Sequence, residues 1–371
     1  MKLQEIISVL EEMAPLGYAE DFDNVGLIVG NNNQHIKGIL VCHDALEEVI
    51  EEAVEKGCNL VVCFHPILFS GLKKITGKNY VEKAIIKAIK QDIAIYAVHT
   101  ALDNHKDGVN KILCDVLGIR NSKILIPKEN YIYKLVTYTI AENANKLRNA
   151  LFDAGAGSIG NYEDCSFNSK GIGTYMGNEN SNPEIGERFE FVENEEIKIE
   201  VTFEKHLQNK IVTALHKNHV YEEVAYEVYE LKNTHQQIGL GRIGQLEQDM
   251  SEVEFLQKVK DKLKAGGIRH STFLDKPVKT VAVLGGSGSF AIKNAIAAKA
   301  DVYLTADIKY HQFYEAENQI LLADIGHYES ERFTKNYIVD FLKKKITNFA
   351  PAFTTSKVVL SEVNTNPIQY F

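Results

Sequence analysis

The sequence predicts an α/β fold, with mixed or parallel sheets covered by helices, that is interrupted by an inserted α+β domain. Short apolar runs alternate with helical patterns in the first third of the chain and again in the last third. Apolar strands separated by helices are typical of a sheet that is covered on both faces. The middle of the chain breaks this alternation. We therefore divide the 371 residues into an N-terminal α/β part, an inserted domain and a C-terminal part that completes the first domain, at 1–128, 129–235 and 236–371.

In the N-terminal part, apolar runs predict three strands, and amphipathic patterns between them predict two helices. The strands lie at 37–42, 59–64 and 93–98, and the helices at 45–57 and 78–91. Both helices repeat apolar residues at the three-to-four spacing that forms one apolar face. Asp44 followed by Glu47 predicts a capping box at the start of the first helix.

The C-terminal part shows the same alternation. Ser251 and Glu254 form a second capping-box sequence, which predicts the start of a helix. Further apolar runs predict strands at 278–284, 300–305 and 318–324, with helices between and after them.

The middle segment has a different order of elements. It reads as the strand YKLVTYTI, the helix ENANKLRNALFDAG, a stretch rich in glycine and asparagine, the strand EEIKIEVTFE, the helix HLQNKIVTALHKN and the strand YEEVAYEVYEL. Strands that pair around two helices in this order predict a small ferredoxin-like unit.

Composition argues against several classes of protein. The chain is 45% hydrophobic and 25% charged, as in average globular domains, and no apolar run reaches the roughly 18 to 20 residues that cross a bilayer. A formal net charge of -9 gives no attraction for nucleic acid or an anionic membrane. Five cysteines without a CxxC pair argue against a disulfide framework and a cysteine-based zinc site. The start of the chain predicts an amphipathic helix rather than a secretory signal, so we expect a cytoplasmic protein.

Ligand-type side chains follow three of the predicted strands. Histidines come directly or soon after these strands, at His65, His99 and His327. Because the carboxyl ends of parallel strands meet at one edge, we expect these histidines to lie on the same rim. Asp103 and Glu331 each come four residues after one of them, a spacing that brings two side chains to one face of a helix. Three imidazoles and two carboxylates suit zinc, iron or manganese, and a carboxylate that reaches two ions would give a two-metal hydrolytic centre.

Purely structural explanations stay open for each of these residues. A histidine after a strand is commonly a hydrogen-bonded residue with no ligand. Asp103 could complete a capping box from Thr100, and Glu331 could favour a helix N-terminus through the helix dipole. The coincidence of ligand-type residues at three strand ends is what favours a metal site.

Two neighbouring patterns also leave alternatives open. The sequence LGGSGS at 284–289 follows a predicted strand and precedes a helical pattern, so it could bind an anion at a helix N-terminus or only make a tight turn. Asp307 and His311 lie four residues apart beyond another strand. They could line the same cleft, supporting ligands or transferring protons, or they could simply begin a helix.

Several motifs together resemble the NGG-interacting-factor-three-like family, whose members are often labelled GTP cyclohydrolase I type 2 homologues. The motifs are DNVGL at 23–27, HPILF at 65–69, HTALD at 99–103, GVN at 108–110, LGGSG at 284–288 and DIGHYESE at 324–331. They cover both outer parts of the chain. In the middle, AGAGSIGNYEDCSF and VYEEVAYEVYEL resemble the inserted domain of the longer bacterial members.

The resemblance implies a dinuclear metal centre in the cleft of the α/β fold, with divalent ions such as zinc, iron or manganese, two per subunit. It also implies a toroidal homohexamer and an insert akin to the nitrogen-regulatory PII and copper-tolerance trimers. Carried over position by position, the metal ligands are His65, His99, Asp103, His327 and Glu331.

One position departs from the family pattern. The family usually has two adjacent histidines before the proline, and this chain has Phe64 at the first of them. Phenylalanine cannot coordinate a metal, so one ion loses a ligand, another residue supplies it, or the site holds a single ion.

Two functions follow from these observations. The first is a metal-dependent hydrolase that acts on a nucleotide or a related phosphorylated or heterocyclic compound, with Asp307 or His311 transferring protons. The second is a non-catalytic metal-binding regulatory or scaffold protein whose insert senses a small molecule. Both predict a small-molecule substrate or effector, and neither predicts a nucleic-acid or membrane partner.

Overall fold

The structure is a computed structural model that describes residues 1–349 and 357–371. The chain divides into two compact units. Unit 1 comprises Met1–Ile126 and Ile238–Phe371, and unit 2 comprises Pro127–Gln237. Within the described ranges, none of the helices combines the length and apolar character that a membrane span needs.

The elements of unit 1 before unit 2 alternate strands and helices. They are α1 (Leu3–Met13), β1 (Gly26–Val29), β2 (Ile39–Asp44), α2 (Glu47–Glu55), β3 (Leu60–His65), α3 (Tyr80–Lys90), β4 (Ala94–Ala97), α4 (His99–Asp103), α5 (Val109–Leu117) and β5 (Arg120–Lys128).

Unit 2 follows with β6 (Ile132–Thr139), α6 (Ala141–Asp153), β7 (Phe167–Met176), β8 (Phe191–Glu204), α7 (Gln208–Asn218) and β9 (Tyr226–Leu231). The chain then continues with β10 (His235–Met250), α8 (Glu252–Leu263), β11 (Arg269–His270), β12 (Val278–Ser287), α9 (Ile292–Ala297), β13 (Val302–Ala306), β14 (Leu321–Asp324), α10 (His327–Glu331), α11 (Thr334–Phe349) and β15 (Val358–Leu360).

The first sheet of unit 1 has the strand order β1-β4-β3-β2-β15. The strands from β4 to β15 run parallel, and β1 pairs antiparallel with β4. One face packs against α1 and α11, and the other packs against α2 and α3, so both faces are buried. Because β3 and β4 are parallel neighbours, His65 at the end of β3 and His99 just beyond β4 reach the same edge.

The second sheet of unit 1 has the strand order β11-β14-β13-β12-β10-β5. Its centre, β12-β13-β14, is parallel, while β10 pairs antiparallel with β12 and β11 pairs antiparallel with β14. The sheet is buried between two apolar clusters. The fold class is therefore mixed α/β, which is one of the two arrangements predicted, and the antiparallel strands β1, β10 and β11 lie where the apolar runs predicted no strand. His327 follows β14 and begins α10, which places it beyond the end of a parallel strand, as predicted.

The two predicted capping boxes have different outcomes. Ser251 caps α8, and Glu254 returns the hydrogen bond, so this prediction is confirmed. The prediction for Asp44 was wrong, because α2 is preceded by Leu46 at its N-cap and makes no side-chain cap. Asp44 is instead the last residue of β2, and its carboxylate accepts hydrogen bonds from other parts of unit 1, including the Thr365 hydroxyl at 2.5 Å.

Unit 2 is built around one antiparallel sheet with the strand order β7-β8-β6-β9. Along the chain its elements follow as strand, helix, strand, strand, helix, strand. α6 and α7 pack on the sheet through an apolar cluster that includes Leu135, Leu147, Leu151, Ile211 and Leu215. This cluster gives unit 2 a core of its own.

Candidate metal centre

Each of the three predicted histidine ligands has its Nδ1 atom beside a carboxylate oxygen. The distances are 2.8 Å between His65 and Asp44, 2.9 Å between His99 and Asp23, and 2.6 Å between His327 and Asp307. A carboxylate only accepts hydrogen bonds, so Nδ1 donates, and Nε2 is the ring nitrogen that can coordinate an ion once the ring is neutral. Carboxylates that orient imidazoles in this way are a recurrent feature around metal-binding histidines.

The Glu331 carboxylate lies among imidazole nitrogens. Its Oε2 atom is 3.3 Å from Nε2 of His327, 3.4 Å from Nε2 of His65 and 3.6 Å from Nε2 of His43. These separations exceed the usual hydrogen-bond range. Glu331 is only 3% exposed, and Oε2 has no hydrogen-bond partner within 1–349 and 357–371. A cation between these atoms would satisfy all of them at once.

Burial and neighbouring charges perturb the two carboxylic acids of the cluster in opposite directions. Burial and the nearby Glu331 carboxylate raise the pKa of Asp103 well above its ordinary value. Burial also acts to raise the pKa of Glu331, but His327 and His65 outweigh it and hold that pKa below its usual range. Asp103 Oδ1 is buried without a hydrogen-bond partner in the described part of the chain. Two carboxyl groups that repel each other in a buried site create a place for positive charge.

The same carboxylates act on the imidazoles. Burial lowers the pKa of His65, but its contacts with Asp44 and Glu331 prevail and raise it to about 9. For His327, burial is likewise outweighed by Asp307 and Glu331, and the pKa rises to about 11. The negative groups therefore dominate the local field, and the pocket favours cations.

The glycine-rich end of β12 makes room for Glu331. A Cβ atom at Gly286 would lie 2.3 Å from Glu331 Oε1, and the φ angle of Gly286 is +69°. The backbone N–H groups here bond within unit 1: Gly285 donates to Asn110 Oδ1 and Gly286 to Ser330 Oγ, both at 2.9 Å. Anion binding and a tight turn were the two explanations offered for LGGSGS, and the close approach of the backbone to Glu331 is a third reason for glycine at position 286.

The five predicted ligands line one cavity of about 1520 Å³ in unit 1: His65, His99, Asp103, His327 and Glu331. The ligand atoms of His65, His327 and Glu331 lie within 4.8 Å of one another, and a second such group consists of His43, Asp44 and His65. The ring centroid of His99 is 5.1 Å from that of His65. These groups are candidates for holding a metal ion.

The two further candidates near the cleft have separate outcomes. Asp307 contacts the cluster, since its Oδ2 atom accepts from His327 and from the Ser287 hydroxyl at 3.0 Å. His311 is exposed, and its ring contacts Tyr310 and Tyr314 outside the lining of this cavity. The structure thus supports Asp307 as an orienting residue and gives no such contact to His311.

Sequence reasoning missed the roles of Asp23, Asp44 and His43. Asp23 also accepts from the Thr100 backbone N–H at 3.0 Å and from its hydroxyl at 2.5 Å, so Thr100 does not cap α4 for Asp103. The only sequence signal for Asp23 was the DNVGL motif. His43 lies within an apolar run, where nothing in the local pattern separates a ligand from a core residue.

Comparison with known proteins places this chain in a family. The sequence model of Duf34/NIF3 (NGG1p interacting factor 3) matches residues 1–367. A Bacillus subtilis (strain 168) protein named GTP cyclohydrolase 1 type 2 homolog is 38% identical over 374 aligned positions, covering 99% of this chain and 98% of that protein. A Staphylococcus epidermidis (strain RP62A) protein of the same name is 34% identical over 373 positions, covering 100% of both.

Solved structures agree with this relationship. A Bacillus cereus protein related to NIF3 superposes with a TM-score of 0.85 at 37% identity, covering 100% of this chain and 99% of that one. A Staphylococcus aureus protein superposes with a TM-score of 0.76 at 30% identity, with the same coverage. The match spans both sequence and fold over nearly the whole length, and on these grounds the chain belongs to the DUF34/NIF3 (NGG1p interacting factor 3) family.

Proposed function

We propose that unit 1 binds two divalent cations and that the protein is a metal-dependent hydrolase for a nucleotide or a related phosphorylated or heterocyclic compound. The proposed ligands are His65, His99, Asp103, His327 and Glu331. The observation that carries the proposal is the set of imidazoles whose Nδ1 atoms are held by carboxylates while the Nε2 atoms of His65 and His327 face the unpartnered Oε2 of Glu331.

The nitrogen and oxygen atoms of the proposed ligands decide which divalent ions the site can bind. Imidazole nitrogens together with carboxylate oxygens suit zinc, iron or manganese and do not suit a calcium site, which needs oxygen ligands throughout. When bound, such ions supply positive charge that polarises a phosphoryl or carbonyl oxygen and lowers the pKa of water.

The residues of the chain itself prepare this site. Asp23, Asp44 and Asp307 fix the orientation of the imidazole rings. Because Asp307 is exposed to solvent and its carboxylate contacts both His327 and Ser287, it is the group best placed to exchange a proton with a bound substrate. Burial of Glu331 and Asp103 keeps the ligand oxygens away from bulk water, which strengthens their interaction with a cation.

The lining of the cavity suggests the class of substrate. Phe22, Phe69 and Phe290 line it and are exposed, and the rings of Phe22 and Phe69 lie 6.2 Å apart. Lys78 and Lys83 line the same cavity. Exposed aromatic faces can stack on a heterocycle, and lysines can bind phosphate, so the combination favours a nucleotide over a simple ester.

The test is metal analysis followed by a substrate panel. Protein purified without chelator should contain close to two equivalents of metal by elemental analysis, and the metal-loaded sample should hydrolyse a member of a panel of nucleoside phosphates and phosphodiesters. Glu331→Gln should lose both properties, while Glu329→Gln, a buried residue of the same helix that does not line the cavity, should keep them. A wild-type protein that binds no divalent metal would refute the proposal.

A second function is favoured by a cavity in unit 2. It has a volume of about 590 Å³ and is lined by Tyr138, Lys198, Tyr221, Glu196 and the 169–175 segment. A pocket of this size suits a small effector, in keeping with a regulatory or scaffold protein. Equilibrium dialysis with nucleotides tests this second function. Nucleotide binding that Tyr221→Ala abolishes, in a protein that turns over no substrate, would favour a regulatory role. Nucleotide binding confined to unit 1 would contradict a regulatory role for the cavity of unit 2.

We also propose that unit 2 is an inserted ferredoxin-like domain with the bounds 129–235. Its order of elements and the strand order β7-β8-β6-β9 support this. The homohexamer and the cytoplasmic location stay predictions, and native mass spectrometry of the purified protein would test the first.

A further inference from the structure

Position 64 and position 43 face each other across two neighbouring strands. β2 and β3 are parallel, with Cys42 opposite Cys63 and Asp44 opposite His65. His43 on β2 is therefore level with Phe64 on β3, and side chains at equivalent positions of paired strands lie side by side on one face. This chain thus carries an imidazole one strand away from the position where the family resemblance leads us to expect one.

The ring of His43 points into the candidate metal centre. Its centroid lies 4.7 Å from that of His65, with the two rings nearly perpendicular, and Nε2 is 3.6 Å from Glu331 Oε2. Phe64 stacks against it at 5.4 Å with an angle of 19° between the ring planes. Tyr328 meets the His43 ring edge-on at 5.0 Å. These aromatic neighbours fix the plane of the imidazole and leave Nε2 directed at the cluster.

His43 is buried without the partners that a core histidine normally has. It is 2% exposed, and neither ring nitrogen has a hydrogen-bond partner within the described residues. Buried polar side chains are nearly always hydrogen-bonded, so this exception needs an explanation.

We propose that His43 is a direct metal ligand, which supplies from β2 the imidazole that Phe64 does not supply from β3. The inference rests on the metal site proposed above and adds a residue to it. The ligand atoms of His43, Asp44 and His65 lie within 4.8 Å of one another, and those of His65, His327 and Glu331 form the neighbouring group. His65 is common to the two groups, and because its Nδ1 is bonded to Asp44 it can offer only Nε2 to one ion, so the two groups overlap in this part of unit 1.

The direct test is a crystal structure of the zinc-loaded wild-type protein, with zinc located by anomalous scattering. We expect Nε2 of His43 to lie about 2.0 to 2.1 Å from a zinc ion, the ordinary zinc–imidazole distance. If the map shows zinc but both ring nitrogens of His43 lie beyond coordination distance of every ion, the inference is overturned.

Exchange of the two residues gives an independent test in solution. In His43→Leu, we expect one ion to be lost or its affinity for zinc to fall at least about 10-fold, as measured by isothermal titration and elemental analysis. The double variant His43→Leu/Phe64→His returns the imidazole to β3 and should restore binding. The control is His311→Leu, whose exposed ring lies outside the cavity, and it should bind zinc as the wild type does.

The outcomes separate this inference from the proposed function. Zinc binding by the wild type that is equally strong in His43→Leu overturns the role of His43 and leaves the site itself standing. Absence of zinc binding in the wild type overturns both.

A thermal melt without metal checks that the variant folds. His43→Leu should melt at or above the wild-type temperature because it removes an unpartnered buried imidazole. The rise in melting temperature on adding zinc should be smaller in His43→Leu than in the wild type. If His43→Leu does not fold, the anomalous map of the wild type and the zinc titration of His43→Gln decide whether His43 is a ligand.

Discussion

The cavities of unit 1 and unit 2 differ in how their polar groups are satisfied. In unit 1, the buried Glu331, Asp103 and His43 keep atoms without hydrogen-bond partners in the described ranges. In unit 2, Tyr221 donates to the Glu196 carboxylate at 2.6 Å, and the β7 strand that lines the cavity is largely exposed. Leaving buried polar atoms unpaired costs stability unless a ligand completes them. The first cavity therefore has lining atoms that a cation can complete. Among the described residues, the two unpartnered atoms of unit 2, on Asn194 and Glu227, lie outside the lining of the second cavity.

Among the variants that test this contrast, Glu331→Gln should have the largest effect on zinc binding. The amide keeps the size of the side chain but removes the negative charge that faces the imidazoles of His65, His327 and His43. We expect the affinity for zinc to fall by on the order of 100-fold or more, since a metal ligand is lost rather than an orienting group. Isothermal titration measures this, and an unchanged affinity would remove Glu331 from the site.

Asp307→Asn should have a smaller effect, because Asp307 acts through His327. The amide keeps an oxygen that can accept from the imidazole Nδ1 but loses the negative charge, so the hydrogen bond weakens and the ring is less firmly oriented. Loss of such an orienting partner typically weakens metal affinity by about 10- to 100-fold. Asp301→Asn is the matched control, since the Asp301 carboxylate accepts hydrogen bonds from the backbone N–H groups of Lys279 and Thr280, away from the cluster. Equal losses of zinc affinity in the two variants would mean that the loss does not depend on the contact between Asp307 and His327.

Gly286→Ala should disturb the site through its backbone. The new Cβ meets Glu331 Oε1, and an alanine at φ +69° is strained. We expect a loss of about 1 to 3 kcal/mol in the free energy of unfolding from the strain and the contact together, with weaker zinc binding. Gly57→Ala separates the two causes, because Gly57 has φ +67° and open space around its Cβ position. Chemical denaturation should show strain in both variants, while only Gly286→Ala should lose zinc affinity.

Tyr221→Phe should have the smallest effect and should leave unit 1 unchanged. It removes one hydrogen bond to the mostly buried Glu196, so we expect the free energy of unfolding to fall by about 1 kcal/mol. Tyr229→Phe, at a half-exposed position of β9, is the control. Elemental analysis should find the wild-type metal content in both variants, and a loss of metal in Tyr221→Phe would contradict the independence of the two cavities.

The alternation of strands and helices could be predicted from the sequence because it depends on local apolar periodicity. The predicted strands 59–64 and 278–284 correspond to β3 (Leu60–His65) and β12 (Val278–Ser287). The antiparallel edges could not be predicted, nor could the pairing of β15 with β2, because partners far apart in sequence leave no local pattern. The same limit explains Asp44: its spacing to Glu47 suggested a cap, while its partners, His65 and Thr365, are brought to it only by the tertiary fold.

The candidate site likewise contains some residues that the sequence could reveal and others that only the tertiary fold reveals. His65 and His327 were visible because they stand where an apolar run ends, and chain position alone suggests a rim. His43 was not visible, because the strand β2 continues through it to Asp44 and its environment is decided by the neighbouring strand. A ligand inside an apolar run becomes recognisable only when its unpartnered nitrogens are seen in three dimensions.

The pairing of β15 with β2 has a consequence for how the protein is made. The pocket draws His43, His65 and His99 from the early part of the chain and Glu331 from the late part, and the strand at Val358–Leu360 completes the early sheet. Such distant contacts form slowly and late. A nascent polypeptide on the ribosome therefore carries a half-finished chelating pocket until its last segment emerges, and metal capture is expected to be a post-translational event.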